Sequence, residues 1–236
     1  MIKGRGRSAA AFYLFALFLC EKQKSEGEEK KHRKNSRRGR SGHRRKKYMV
    51  VLIGGVSHAG KTLLAQRLLE KYQFPYTSID HIKMGLIRGY AGCGFTALDS
   101  DAAISRALWG MLKGMVDTCL ENRQHIILEG CYLPPEQVRK YSRADVAAVY
   151  LAFSEAYIRA RFDQIIGYEN VIETRKSPGD LQLEPFIADN AALRKACADA
   201  GMPCFVVQDD YEQTLEKVFL YLGGRIDAAY GAMPRR

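Results

Sequence analysis

The most specific chemical pattern in the chain is the segment Gly-Val-Ser-His-Ala-Gly-Lys-Thr at residues 55–62, which has the spacing G-x-x-x-x-G-K-[ST]. It follows an apolar run and precedes a helical pattern that contains Leu64, Leu68 and Leu69. Glycines let the backbone curl so that successive N–H groups point inward, and the start of the helix adds the positive end of its dipole. The segment therefore predicts a loop that binds a polyphosphate.

The predicted loop offers seven residues to a nucleoside triphosphate, for which we expect ATP. These are Gly55, Ser57, His58, Ala59, Gly60, Lys61 and Thr62. The Lys61 ammonium would lie between the β- and γ-phosphates, and the Thr62 hydroxyl would fill one ligand position on Mg²⁺. The alternative is a glycine-rich turn that only tightens a junction between a strand and a helix.

Acidic residues follow two of the predicted strands. Asp80 comes after Ser78 at the end of the second strand, and Glu129 follows the apolar residues of the third. Because the carboxyl ends of parallel strands meet at one edge of a sheet, both acids are expected near the phosphate loop. Asp80 is predicted to act on the acceptor hydroxyl and Glu129 to orient water around Mg²⁺ or the acceptor. The alternatives are that Asp80 only caps the helix His81 to Arg88, and that Glu129 is a structural acid.

The sheet that must position these residues is predicted from short β-branched runs that alternate with helical patterns. This alternation indicates an α/β fold, with a five-stranded parallel sheet between two layers of helices. The candidate strands are Met49 to Ile53, Tyr76 to Ser78, His125 to Leu128, Val146 to Leu151 and Cys204 to Val207.

Helical periodicity is clearest between about Asp101 and Leu120, where apolar residues recur at intervals of three and four. We interpret this stripe as core, with Ile104, Ala107, Leu108, Met111, Leu112, Met115, Val116, Cys119 and Leu120 buried. A second helix is predicted after Ser154, and a last helix is predicted to end at Gly223. The polar segment between Gly167 and Leu183 shows no period and is interpreted as a mobile flap, or lid, with Arg175 and Lys176.

The net charge of +11 is concentrated at one end of the 236 residues. Residues 1–48 carry 16 Lys and Arg against 4 Glu, whereas residues 49–236 carry 21 basic and 22 acidic residues. The core is therefore close to neutral, which argues against a nucleic-acid groove on its surface. Six cysteines without a C-x-x-C pair indicate reduced thiols in a cytoplasmic protein.

The chain is predicted to divide into a basic, disordered N-terminal extension at 1–48 and a globular domain at 49–236. The apolar run from Ala9 to Cys20 is too short to span a bilayer as a helix, so no stable membrane insertion is expected. Three origins of the extension stay open: an upstream start codon chosen wrongly, a genuine basic tail, and an export signal.

Together these motifs resemble the adenylate-kinase-like group of P-loop small-molecule kinases from Met49 to about Leu222. The strand-end sequences Ser78-Ile79-Asp80 and Ile127-Leu128-Glu129-Gly130 are most similar to those of 2-phosphoglycerate kinase and zeta-toxin-type kinases. No N-K-x-D tetrapeptide of a guanine-specific switch protein occurs, and no strand ends in Asp-Glu as in AAA machines. Glu129 departs from the commoner Asp of the group, and a full acceptor-binding signature cannot be aligned.

The resemblance implies a strand order of 2-3-1-4-5, an acceptor pocket over strands two and three, and an arginine-bearing lid after strand four. It implies that Lys61 and Thr62 serve the phosphates and Mg²⁺, and that Asp80 is the acceptor-side carboxylate. Arg159, on the helix after strand four, matches an arginine that contacts the transferred phosphate, and Arg175 is a weaker match. The alternative for Arg159 is a solvated arginine on a helix face.

The resemblance therefore implies an ATP-dependent kinase that transfers the γ-phosphate to a small hydroxyl-bearing or phosphorylated metabolite. Lys83, Arg88 and Tyr90 are candidates to line the pocket of an anionic acceptor, although exposed charges are usually only solvated. Two further functions stay open. One is a toxin-like kinase that acts on a nucleotide sugar, and the other is a nucleotide-binding regulator with slow ATPase activity.

Overall fold

The computed structural model describes residues 48–141, 144–167 and 182–230. The predicted extension, apart from Tyr48, lies outside these residues, as does the body of the predicted lid with Arg175 and Lys176. Among the described helices, none combines the length and the apolar content that crossing a membrane requires.

A five-stranded parallel sheet forms the centre of the fold, in the order β2-β3-β1-β4-β5. The strands are β1 (Val50–Gly55), β2 (Tyr76–Ser78), β3 (Ile126–Glu129), β4 (Val146–Phe153) and β5 (Cys204–Val207). This order confirms the one that the resemblance to P-loop kinases implied. All six residues of β1 are buried, as expected for a central strand that is covered by helices on both faces.

Helices cover both faces of the sheet. They are α1 (Lys61–Tyr72), α2 (Ile79–Gly89), α3 (Asp101–Asn122), the single turn α4 (Pro135–Val138), α5 (Glu155–Gly167), α6 (Leu183–Ala200) and α7 (Tyr211–Tyr230). A 3₁₀ turn at Arg139–Tyr141 follows α4. Alternate residues of β1 point to opposite faces, so Val51 and Ile53 pack with α1 and α7 while Val50 and Leu52 pack with α3.

The burial of α3 corrects the interpretation of its apolar stripe. Its residues at intervals of four, from Ile104 to Leu120, are buried, but Ala107 and Met111 are exposed. A helix that packs on one sheet face buries only the centre of its stripe, and the residues at the edge of the stripe stay in solvent.

The ends of two other helices also differ from the prediction. Helix α7 does not end at Gly223 but continues to Tyr230, because Ile226 in its last turns is fully buried against the core. A Cβ atom at Gly223 would lie 2.7 Å from the Tyr72 hydroxyl oxygen, so the glycine permits close packing of α7 on α1. Helix α6 was not predicted at all.

The Tyr150 hydroxyl group is buried and has no hydrogen-bond partner among the described residues. An unpaired buried hydroxyl group destabilises the folded state because it loses its water. We therefore expect Tyr150→Phe to raise the free energy of unfolding by about 1 kcal/mol, measured by urea denaturation. Tyr141→Phe is the matched control, since the Tyr141 hydroxyl donates to Asp117 Oδ1 at 2.8 Å and its loss should lower stability. A stability loss in both variants would contradict the expectation.

The N-terminal boundary of the globular domain is tested by truncation. The Tyr48 hydroxyl donates to Asp145 Oδ2 at 2.6 Å, so the first contact of the described residues precedes β1. We expect a chain that begins at Tyr48 to keep the melting temperature and ATP affinity of the full chain. A chain that begins at Met49 loses this bond and should be less stable by about 1 kcal/mol. A large loss of stability in the chain from Tyr48 would make residues 1–47 part of the folded unit.

Candidate functional site

The predicted phosphate loop lies between β1 and α1, at the carboxyl edge of the central strand. Its backbone takes positive φ angles at Gly55 (149°), His58 (62°) and Gly60 (84°), and Gly60 is the N-cap of α1. Ala59 is fully buried and Val56 is 8% exposed, so apolar side chains anchor the loop to the core. The loop is therefore an ordered turn at a helix N-terminus, and this geometry favours the binding of anions.

Neighbouring elements approach the loop closely at Gly55 and Gly60. A Cβ atom at Gly55 would lie 2.6 Å from the Leu151 carbonyl oxygen of β4. A Cβ atom at Gly60 would overlap the hydroxyl group of Tyr211, in the first turn of α7. Both glycines also have φ values that L side chains rarely adopt. Strand β4 and helix α7 thus brace the loop from two sides.

The Lys61 side chain lies along the loop and is only 7% exposed. Its ammonium group donates to the Val56 carbonyl oxygen at 2.6 Å. The positive charge of Lys61 acts to lower the pKa of the Cys131 thiol, two residues after the end of β3. Burial is the main reason that the pKa of Cys131 is raised. The Lys61 side chain therefore lies at the carboxyl edge of the sheet and does not extend into solvent.

Thr62 and Glu129 meet at this edge of the sheet. The Thr62 hydroxyl donates to Glu129 Oε1 at 3.3 Å, and Glu129 is 2% exposed. Burial raises the pKa of the Glu129 carboxyl group, while the charge of Lys61 and a hydrogen bond with Ser78 act in the opposite direction. The charge of Asp80 also acts on Glu129. The two strand-end acids are therefore near each other and near the loop lysine.

Asp80 lies in the first turn of α2 and is not its N-cap, which is Ser78. The capping alternative for Asp80 is therefore wrong, because the helix begins two residues earlier than the sequence suggested. Asp80 Oδ1 accepts a hydrogen bond from Lys83 Nζ at 2.6 Å, one turn further along α2. This ion pair is half-buried, so Lys83 restricts the orientation of the Asp80 carboxylate.

Tyr132 completes this arrangement and was not found from the sequence. Lys83 Nζ donates to its hydroxyl oxygen at 2.7 Å and also lies 4.9 Å from the centre of its ring. Burial would lower the pKa of Lys83, but the hydrogen bonds with Asp80 and Tyr132 raise it, so Lys83 stays charged. Burial raises the pKa of Tyr132 to about 12, so its hydroxyl group keeps a proton that it can donate.

Two residues at the start of α3 lie near Tyr132 and Lys83. The Ser105 hydroxyl donates to the Tyr132 carbonyl oxygen at 3.3 Å. Desolvation raises the pKa of the Asp101 carboxyl group, whose nearby charges include Lys83 and Asp80. Sequence reasoning used α3 only as a core helix, because no motif marks its first turn.

Arg159 lies on α5, with its guanidinium group between two carboxylates. It donates to Glu155 Oε1 at 2.9 Å and to Glu184 at the start of α6, at 2.7 and 3.1 Å. The side chain is 46% exposed. The ion pair connects the helices on either side of residues 168–181, and the contact of Arg159 with a transferred phosphate stays a prediction.

The parallel sheet in the order 2-3-1-4-5, with helices on both sides and the G-x-x-x-x-G-K-T loop after β1, defines a P-loop fold of the small-molecule kinase type. The family model described as Zeta toxin matches residues 34–152, about half of the chain. The chain belongs to the Zeta toxin family. The matched range contains Lys61, Asp80 and Glu129, whereas Arg159 lies beyond it.

Several solved structures resemble the fold, and no curated protein matches the chain. A gluconokinase from Sinorhizobium meliloti 1021 is 15% identical, with 77% of this chain and 94% of that chain covered and a TM-score of 0.46. Shikimate kinase from Aquifex aeolicus is 15% identical, with coverage of 78% and 100% and a TM-score of 0.45. Deoxyadenosine kinase from M. mycoides is 15% identical, with coverage of 75% and 100% and a TM-score of 0.43.

Proposed function

We propose that the protein is an ATP-dependent phosphotransferase that moves the γ-phosphate to a hydroxyl group of a small acceptor. The observation that carries this proposal is the convergence of the Lys61 loop with two strand-end acids: Thr62 bonds to Glu129, and Ser78, two residues before Asp80, lies opposite Glu129 in the sheet. Phosphoryl transfer needs charge opposite the γ-phosphate and a carboxylate directed at the acceptor. The pocket offers both within one edge of the sheet.

The nucleotide side of the proposed site consists of the loop from Gly55 to Thr62. Its inward N–H groups and the N-terminus of α1 bind the phosphates, and Lys61 adds a positive charge. Mg²⁺ fits here because the Thr62 hydroxyl and the Glu129 carboxylate are the hard oxygen donors that it prefers. When bound, Mg²⁺ neutralises charge on the phosphate oxygens. Thr62 and Glu129 would hold it directly or through its water ligands.

The acceptor side of the proposed site consists of Asp80 with its partners. Asp80 accepts the proton of the acceptor hydroxyl, which makes the oxygen a better nucleophile. Lys83 and Tyr132 fix the position of the carboxylate, since both bond to the same ammonium group. Helix α2 and the loop after β3 therefore set the position of the Asp80 carboxylate. Arg159 would stabilise the charge of the transferred phosphate.

A transfer assay tests the proposal. The purified full chain is incubated with labelled ATP, Mg²⁺ and a panel of hydroxyl-bearing metabolites, with the Lys61→Met variant as the blank. We expect at least one acceptor to become labelled in a reaction that depends on Lys61. Release of inorganic phosphate alone, at the same rate with every acceptor, would contradict transfer and support a regulator with slow ATPase activity.

A nucleotide sugar is the second candidate for the acceptor, and membership of the Zeta toxin family favours it. Toxicity separates it from a metabolic acceptor. If the protein consumes a nucleotide sugar, its expression should arrest growth, and expression of the Lys61→Met variant should not. Normal growth at the same expression level, together with labelling of another metabolite, would exclude this candidate.

We further propose that the protein acts in the cytoplasm, where ATP is available. The five cysteines of the described residues are free thiols, in keeping with a reducing compartment. The near-neutral charge of residues 49–236 supports a small-molecule acceptor and no binding of nucleic acid by the core.

A further inference from the structure

A cavity of about 340 Å³ lies at the amino edge of the sheet, where β4 and β5 begin. It is lined by the first half of β4, the turn between α6 and β5, the 3₁₀ turn after α4, and α7. The phosphate loop approaches the other end of β4, at Leu151. From Val146 to Leu151 a strand rises about 16 Å. The cavity is therefore separate from the proposed phosphoryl-transfer site.

Two arginines from different elements line this cavity, and no acidic residue lines it. Arg139 begins the 3₁₀ turn, and Arg225 lies on α7. Arg225 Nη2 donates to the Val146 carbonyl oxygen at 3.1 Å, which holds the guanidinium group against the start of β4. Within the part of the chain that the structure describes, neither arginine forms an ion pair with a carboxylate. Their remaining N–H groups can therefore bind an anion.

Apolar and aromatic side chains form much of the remaining wall. Val138 is 2% exposed, whereas Tyr141 is half-buried and Tyr221 is 37% exposed. The Tyr141 hydroxyl donates to Asp117 Oδ1 at 2.8 Å, and the centre of the Tyr221 ring lies 5.4 Å from that of Phe205. Contacts outside the cavity therefore hold both tyrosines in place. Tyrosine rings pack well against other planar rings.

The carboxyl end of α6 opposes the charge of the arginines. It reaches the cavity at Ala200 and Gly201, and a helix dipole places about half a negative charge at such an end. Two of the last carbonyl oxygens are already bonded, since Gly201 N donates to Ala198 O at 3.1 Å and Met202 N donates to Cys197 O at 2.8 Å. Two guanidinium groups carry two full positive charges, so the positive charge exceeds that of the helix end.

We propose that this cavity is a second ligand site, which binds a small organic phosphate that carries a planar ring. Arg139 and Arg225 bind the phosphate group, because a guanidinium group donates two parallel hydrogen bonds to phosphate oxygens. The ring lies against Tyr141 and Tyr221. The cavity volume falls within the range of about 300–1,000 Å³ that is usual for small-molecule pockets. The proposal does not depend on the kinase activity.

Titration of the full chain with phenyl phosphate, followed by ligand-observed NMR, tests the proposal. Two comparison compounds separate the contributions to binding, since inorganic phosphate lacks the ring and phenol lacks the charge. We expect phenyl phosphate to saturate one site and to bind about tenfold or more tightly than either comparison compound. The titration is repeated with Lys61→Met, whose altered phosphate loop should leave the affinity for phenyl phosphate unchanged.

Variants of the two arginines locate the binding. Arg139→Met should weaken it by about tenfold or more, and the melting temperature should not change because Arg139 lies in an exposed turn. Arg225→Met should have the same effect on binding but also removes the bond to Val146, so Arg139→Met is the decisive variant. Lys140→Met is the matched control. This neighbouring cation bonds to Gln137 Oε1 at 2.6 Å and does not line the cavity, so binding should be retained.

Four results would each overturn the proposal. Phenyl phosphate may fail to saturate any site, or it may bind no more tightly than inorganic phosphate. A folded Arg139→Met protein that binds as tightly as the unaltered chain would remove the arginines from the site. A loss of binding in Lys61→Met would place the phenyl phosphate in the phosphate loop.

Discussion

Replacement of Lys61 by Met is expected to lower phosphoryl transfer by on the order of 100- to 1,000-fold, the scale for losing a group that stabilises developing charge. The ammonium group is held at the loop by the Val56 carbonyl oxygen and lies within the influence of Glu129. Backbone N–H groups carry only partial charges, so they cannot replace it. Met keeps most of the apolar length of the side chain, so the buried stem still fills its space.

The Lys61→Met result is interpretable only if the fold is intact. Circular dichroism and the melting temperature of the variant should therefore match those of the unaltered chain. Lys113→Met is the matched control, because Lys113 is an exposed lysine on α3 whose ion pair with Asp117 is far from the loop in sequence. Normal transfer by a folded Lys61→Met protein would exclude the kinase assignment.

Replacement of Asp80 by Asn should separate binding from chemistry. We expect kcat to fall by on the order of 100-fold or more, the usual scale for losing a general base. The affinity for ATP should stay within a fewfold, because we expect the loop residues, and not Asp80, to hold the nucleotide. Asn has nearly the same size as Asp and can still accept a hydrogen bond from Lys83, so the comparison isolates the negative charge.

Three measurements decide the role of Asp80. Calorimetry gives the ATP affinity, and single-turnover transfer on the same preparation gives the chemical rate. Lys83→Met removes the partner that orients Asp80, so it should lower kcat less than Asp80→Asn does. Asp117→Asn is the matched control, because it also removes a carboxylate that pairs with a lysine. If the Asp80→Asn variant transfers phosphate at the wild-type rate, the role of Asp80 is limited to a structural ion pair with Lys83.

A different outcome would move the roles within the site. If Asp80→Asn weakens ATP binding only when Mg²⁺ is present, Asp80 belongs to the metal side. The acceptor-side role would then pass to Glu129, which lies at the end of the neighbouring strand.

The sheet and the phosphate loop could be predicted because their signals are local. Strands β2 and β5 have the predicted bounds, and β1, β3 and β4 differ by two residues or fewer at each end. The buried strands read as continuous apolar runs, and the loop has a fixed spacing. Local patterns of this kind do not depend on the rest of the chain.

Helix α6 was missed because its buried face contains a polar residue. Asn190 is 1% exposed, accepts from Phe153 N at 2.7 Å and donates to the Phe186 carbonyl oxygen at 2.8 Å. An asparagine at a core position interrupts the apolar stripe that identifies a helix, and its bond to β4 exists only in the folded chain. The hydrogen bonds that satisfy it could not be read from the sequence.

The partners of the candidate site were missed for a related reason. Tyr132 is 49 residues from Lys83 in the sequence, and the two meet only because β3 lies beside β2. Asp80 and Glu129 were identified because each ends a strand, and strand ends are visible in the sequence. The environment of a carboxylate, by contrast, depends on side chains that tertiary structure brings to it.

The contact between Gly60 and Tyr211 has a consequence for the synthesis of the protein. The phosphate-loop motif is complete once Thr62 has been made, but the helix that braces it begins only at Tyr211, about 150 residues later. A nascent chain whose Tyr211 is still inside the ribosome would contain the whole motif but not the folded helix that supports it. The ability to hold a nucleotide is therefore expected only after Tyr211 has left the ribosome, and a product that terminates before Tyr211 would not compete for ATP with a chain that contains this helix.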